Sequence, residues 1–89
     1  MNRAERIKEI IEDAFAPEAL DITDDSHQHA GHAGAQPGGE THYTLTVVSP
    51  KFEGQSRVMR QRSIYALLTK EFELGLHALS VRALTPGEQ

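Results

Sequence analysis

The 89-residue chain has no cysteine and no tryptophan, and only five aromatic residues, all Phe or Tyr. Without a thiol it can form no disulfide, supply no thiolate nucleophile and give no thiolate ligand to a soft metal. That composition fits a reducing compartment, and the cytoplasm is the expected location. No run of eighteen apolar residues is present, so no membrane-spanning helix is expected. The N-terminal MNRAERIKEIIEDAF interrupts its apolar residues with acids and lacks the continuous apolar stretch of a secretory signal. Also missing are a Gly-x-Ser-x-Gly elbow and a glycine-rich loop that opens a helix, since GGET leads into a strand-like segment. A nucleophile would have to be a scattered Ser or Thr, and the chain is read as non-enzymatic.

What is present is the composition of one small globular domain, 38% apolar and 25% charged. The net charge of −4 counts against a general nucleic-acid binder, which usually carries a basic footprint. The charge is uneven. Residues 1–50 hold nine of the thirteen acids and three of the nine bases, a balance of −6, whereas residues 51–89 carry +2. Arg57, Arg60 and Arg62 crowd together in that second half as a local basic patch.

Periodicity predicts the elements. Ile7, Ile10, Ile11, Ala14 and Phe15 recur at helical spacing over residues 3–15, with Pro17 setting a boundary near Ala16. Leu20 and Ile22 alternate with Asp21 and Thr23 as a short half-buried strand. THYTLTVV, residues 41–48, is a β-branched and aromatic strand with Tyr43, Leu45 and Val47 on one face and His42, Thr44 and Thr46 on the other, wetter one. A turn follows at Phe52-Glu53-Gly54. A second helix is expected from about Arg57 to Phe72, with room for a further helical turn before Gly75 stops it. His77, Leu79, Val81 and Ala83 then alternate as a third strand, with His77 at the rim of the core. Adjacent strands joined by a loop pair antiparallel, and a helical crossover makes the third strand parallel. The expected fold class is therefore α/β (α+β), a three-stranded mixed sheet with helices on one face.

Between the first two strands, residues 26–40 read SHQHAGHAGAQPGGE. A loop of this length without secondary structure of its own tends to be functional or disordered. It holds His27, His29 and His32, with His42 just beyond and His77 far along the chain. Imidazole is the main ligand for a soft metal centre left to a protein without cysteine. On a glycine-rich loop the spacing of three histidines is not diagnostic, and a polar surface loop is the plain alternative. His77 taken alone reads as a hydrogen-bonded structural residue, and His42 as structural too. The paired carboxylates Asp24 and Asp25 read as a solvated strand end.

Several pieces together carry a family resemblance: Gly31-His32-Ala33-Gly34, the strand entry Glu40-Thr41-His42, the turn Ser49-x-x-Phe52-x-Gly54, the helix start Arg60-x-Arg62 and the late His77-Ala78-Leu79. Along nearly its whole length the chain resembles the BolA-like family, in its histidine-loop subtype. The resemblance implies an α-β-β-α-α-β order similar to a type II KH domain. It also implies a monothiol glutaredoxin as partner, with a [2Fe–2S] cluster shared between the two proteins and glutathione. The positions matching the family's ligands are His77 and, in the loop, His32, with His27 and His29 as substitutes. Two imidazoles on one iron and two thiolates on the other is a known cluster arrangement, and this chain can offer only the imidazoles. The loop glycines Gly31, Gly34, Gly38 and Gly39 would keep the loop adaptable enough to bring His32 toward His77. One departure stands out: the family's common Arg-His-Arg is Arg60-Gln61-Arg62 here, so any role for an imidazole at position 61 is lost. The alternative expectation is a KH-like nucleic-acid-binding regulator of transcription that contacts DNA through Arg57, Arg60 and Arg62. It lacks a recognisable KH-type Gly-x-x-Gly loop, since Gly31-His32-Ala33-Gly34 falls between two strand segments.

Overall fold

The computed structural model describes residues 2–26 and 41–89. Helix α1 (Arg3–Phe15) starts at Asn2, whose side-chain oxygen accepts the Glu5 N–H at 2.9 Å. This satisfies one of the donors that a helix N-terminus leaves open. Ile7, Ile11 and Phe15, four residues apart, are its buried apolar stripe. The helix closes at Ala16 in the left-handed conformation (φ 44°), whose N–H donates to the Glu12 carbonyl, and Pro17 prevents continuation.

Strand β1 (Ala19–Asp24) pairs antiparallel with β2 (His42–Val48), and β3 (Ala78–Leu84) pairs parallel with β2 on its other side. The expected three-stranded mixed sheet is observed, with β2 as its central strand. Tyr43, Leu45 and Val47 of the central strand, with Leu79 and Ala83 of β3, face a core completed by Ile7, Ile11, Phe15, Ile64 and Leu68. On the opposite face Thr44 and Thr46 are half-buried and Asp21, Thr23, Ser80 and Arg82 are exposed. His42 departs from its expected wet position. It is 8% exposed, with Thr41 Oγ1 beside its Nδ1 and the His77 ring adjoining it.

The chain leaves β2 through a short 3-10 turn, Pro50–Phe52, capped by Ser49, whose Oγ accepts the Lys51 N–H and donates to the Phe15 carbonyl at 2.6 Å. Phe52 is no solvated turn residue. Its fully buried ring packs 4.7 Å from that of Phe15. The long second helix divides into α2 (Arg57–Leu67) and α3 (Thr69–Glu73). Leu68 lies between them with φ −102° and ψ 12°, its N–H shared by the Ile64 and Tyr65 carbonyls. The break keeps Leu68 fully buried and lets the Phe72 ring stack on Tyr65 at 5.7 Å. Gly75 (φ 127°) then reverses the chain into Leu76, a conformation that favours glycine.

The β3 edge is guarded from α2. Tyr65 Oη donates to the Leu79 carbonyl, Gln61 Nε2 to Val81 at 3.4 Å and Arg60 Nη1 to Ala83 at 3.0 Å. These alternate carbonyls point away from β2. Covering them with side chains discourages another strand from adding there.

Candidate functional site

Ser26 ends the first described segment and Thr41 begins the second, and the two residues clasp the ends of the loop. Ser26 Oγ accepts the N–H of Thr41 at 2.8 Å and that of His42 at 3.1 Å. Ser26 is held in turn by its own N–H, which donates to Asp24 Oδ1 at 2.9 Å. Such a short-range carboxylate bond is the usual chemistry of an Asx turn. Asp25 donates its N–H to the His42 carbonyl at 2.7 Å and accepts the Thr44 hydroxyl on Oδ2. The two carboxylates expected to be a solvated strand end therefore build the loop end of the β1–β2 hairpin.

His77 joins the same junction. The Thr41 carbonyl, in a fully buried residue, accepts both the His77 N–H at 2.8 Å and the Ala78 N–H at 3.1 Å. One carbonyl oxygen has two lone pairs and can serve both donors. His77 stands one residue before β3 rather than within it, and its side chain is exposed. Its ring centre lies 5.3 Å from that of His42, the planes tilted by 51°. His42 Nδ1 is in turn 2.9 Å from Thr41 Oγ1.

Of the expected ligands, His77 is thus accessible and held by its backbone. His27, His29 and His32, and the loop glycines with them, lie outside the described residues. Among the described residues no three His, Asp or Glu side chains converge as a metal site. His77 presents one exposed imidazole at this point.

The basic set expected to contact nucleic acid or a partner is divided. Arg60 is not available for such contact. It is 5% exposed, donates to the Gln55 and Ala83 carbonyls at 3.0 Å each, binds Glu88 Oε1 at 2.6 Å and lies over the Phe52 ring. Its planar fork of donors suits this buried task. Arg60, together with the Thr85 N–H, holds the Glu88 carboxyl at about 2, below the usual carboxylate range. Arg57 and Arg62 remain exposed. Gln61 needs no charge for its role on the β3 edge.

Sequence reasoning overlooked three contributors. Ser26 and Thr41 immediately flank the histidine loop, and that position was the available signal. Glu71 gave no signal at all. It is 3% exposed and binds Arg3 Nε at 3.0 Å and Arg6 Nε at 2.8 Å, tying α3 to the start of α1. The Arg6 guanidinium holds its carboxyl below the usual range against the opposing effect of burial, with Arg3 assisting. Leu76, which leads into His77, donates its N–H to the Glu71 carbonyl at 2.9 Å.

Comparison with known proteins adds to this picture. Residues 11–88 match the family model described as BolA-like protein. The chain is 48% identical over 91 aligned positions to SufE-like protein 1, chloroplastic/mitochondrial, of Arabidopsis thaliana, covering 98% of this chain and 24% of that protein. It is 46% identical to Protein BOLA1, chloroplastic, of the same plant, covering 98% of this chain and 56% of the relative. The chain therefore spans about a quarter and just over half of these two relatives. The solved BolA domain of SufE1 from Arabidopsis thaliana superposes with a TM-score of 0.89 at 47% identity, covering all of this chain and 98% of that one.

Proposed function

Because the chain belongs to the BolA-like family, we propose that it is a non-catalytic partner that binds a monothiol glutaredoxin and shares a [2Fe–2S] cluster with it. Its role would lie in cluster trafficking or in iron and redox regulation. The observation that carries this reading is the exposed His77, held by the Thr41 carbonyl at the point where both ends of the histidine loop are clasped. The clasp limits where the loop ligands can go. His32 is six residues from Ser26, and at roughly 3.3–3.6 Å per residue its backbone stays within about 20 Å of that anchor. His27 and His29 are closer still along the chain and serve as the substitutes.

The donor chemistry supports half a site. His77 and His32 supply two imidazoles, and a chain without cysteine supplies no thiolate. The remaining two ligands are the glutaredoxin's active-site cysteine and the thiol of glutathione. When bound, such a cluster takes or gives one electron, at a potential that imidazole ligation raises. The residues of this chain hold and orient nitrogen donors, and the sheet fixes the His77 backbone before any partner arrives.

Reconstituting the protein together with a monothiol glutaredoxin, iron, sulfide and glutathione tests the reading. The mixed pair should show a visible spectrum unlike that of the glutaredoxin alone. His77→Ala and His32→Ala should each alter it, and an unchanged spectrum in both variants overturns the ligand assignment. The nucleic-acid reading now has only Arg57 and Arg62 of its three arginines, in a chain of net charge −4. No helix among the described residues is long and apolar enough to cross a membrane. The names of the two plant relatives refer to chloroplast and mitochondrion and lend no support to the cytoplasm as this chain's compartment.

A further inference from the structure

His42 opens β2 and His77 immediately precedes β3, thirty-five positions apart, yet their rings adjoin at 5.3 Å. The two are not equivalent. His42 is fastened at each polar backbone atom. Its N–H donates to Ser26 Oγ, its carbonyl accepts the Asp25 N–H, and its Nδ1 faces Thr41 Oγ1. It is buried, and the β2–β3 register places it directly opposite Ala78. His77 has a fixed backbone but an exposed side chain. An exposed side chain on a fixed backbone ordinarily samples several staggered rotamers. Among the described residues, the ring that adjoins it is that of His42.

We infer that His42 is a positioning residue for His77: its ring is a fixed wall that selects the His77 rotamer in which the imidazole can act as a ligand. This rests on the proposed ligand role of His77. It assigns His42 no bond to the metal. Preorganisation of this kind reduces the ordering required when the ligand engages. Losing a hydrogen-bonded partner of a metal-binding imidazole typically costs about 10–100-fold in affinity, and loss of a packing neighbour is expected at the low end of that range.

The test uses the 89-residue chain and the variants His42→Ala, His42→Phe and His77→Ala, each checked for native folding by its amide NMR spectrum. In the free protein, three-bond couplings and ring-to-ring NOEs should report one dominant His77 rotamer in the wild type. Averaging is expected in His42→Ala, and recovery of one rotamer in His42→Phe, which retains a planar ring. In the complex reconstituted with a monothiol glutaredoxin, iron, sulfide and glutathione, His42→Ala should lose the cluster about ten-fold faster than wild type. His42→Phe should stay close to wild type. If His77→Ala leaves the loaded spectrum unchanged, the ligand role of His77 fails, and this inference with it. If His77→Ala abolishes the spectrum while His42→Ala alters neither the rotamer nor the lifetime, only the positioning role fails. If His42→Phe loses the cluster as completely as His77→Ala although its His77 rotamer is native, His42 is a ligand and the positioning role is overturned.

Discussion

The Arg60 guanidinium meets the Glu88 carboxylate at 2.6 Å, joining the start of α2 to the turn that follows β3. The same guanidinium reaches the Ala83 carbonyl on the sheet edge. An arginine that looks in sequence like a surface contact is in this way part of the interior. Its removal leaves buried acceptors unpaired, whereas loss of an exposed arginine on the same helix changes only solvation.

Arg60→Ala is accordingly expected to lower the unfolding free energy by about 1–3 kcal/mol, the usual range for orphaned buried polar groups. Arg57→Ala and Arg62→Ala should each stay within about 0.5 kcal/mol of wild type. Urea denaturation of the three variants measures this, and similar midpoints for all three would contradict the interior role of Arg60.

Acid should weaken the fold through Glu71 and Glu88. Arg6, with Arg3, holds Glu71 below the usual carboxylate range, and Arg60 with Thr85 holds Glu88 at about 2. Both folded values lie below the unfolded value of about 4.3, so the stabilisation is complete above that pH. It is lost as pH falls from about 4.3 through the folded values. Thermal midpoints should thus be flat above pH about 5 with respect to these two groups and fall toward pH 2. Glu71→Gln should reduce that acid slope. It should also lower stability at pH 7 by about 3 kcal/mol, because two arginines, one of them buried, lose their counter-charge.

Ser26→Ala removes the acceptor for the Thr41 and His42 amides. A stability loss of about 1–3 kcal/mol is expected. Hydrogen exchange gives the sharper readout. The amides of Thr41, His42 and His77 should exchange faster in the variant, while those of Leu45 and Val47, deep in the central strand, keep their protection.

Ala16 is the only described residue other than glycine with positive φ, and it is exposed. The left-handed conformation costs an L-residue with a Cβ roughly 1–2 kcal/mol, a strain that glycine does not carry. Part of the gain is offset by the greater freedom of glycine in the unfolded chain. Ala16→Gly should still raise stability by about 0.5–1 kcal/mol, which corresponds to a few degrees in Tm for a domain of this size. A lower Tm would show that the helix end relaxes without strain.

Local chemistry made much of the fold legible. The four-residue spacing of Ile7, Ile11 and Phe15 and the alternation through Tyr43, Leu45 and Val47 are periodic signals, and both faces lie where the pattern puts them. The second helix was harder to read. Its apolar spacing continues through Leu68 to Phe72 without interruption, and the break comes from packing Leu68 and stacking Phe72 on Tyr65. His42 was misjudged by parity alone. Alternation assigns a side of the sheet, but burial on that side depends on which residues adjoin it.

The sequence by itself determined which donors this protein possesses: five histidines, no thiol, and a glycine-rich segment carrying three of those imidazoles. It also determined the strand and helix order, because side-chain periodicity is a local property. Only the tertiary structure decided which distant residues meet. The parallel pairing of β3 with β2 brings His77 to Thr41 and His42, and the turn after β3 takes Arg60 out of the surface. Those outcomes depend on strand register and on satisfying buried polar groups, and neither is encoded by residue type at a single position.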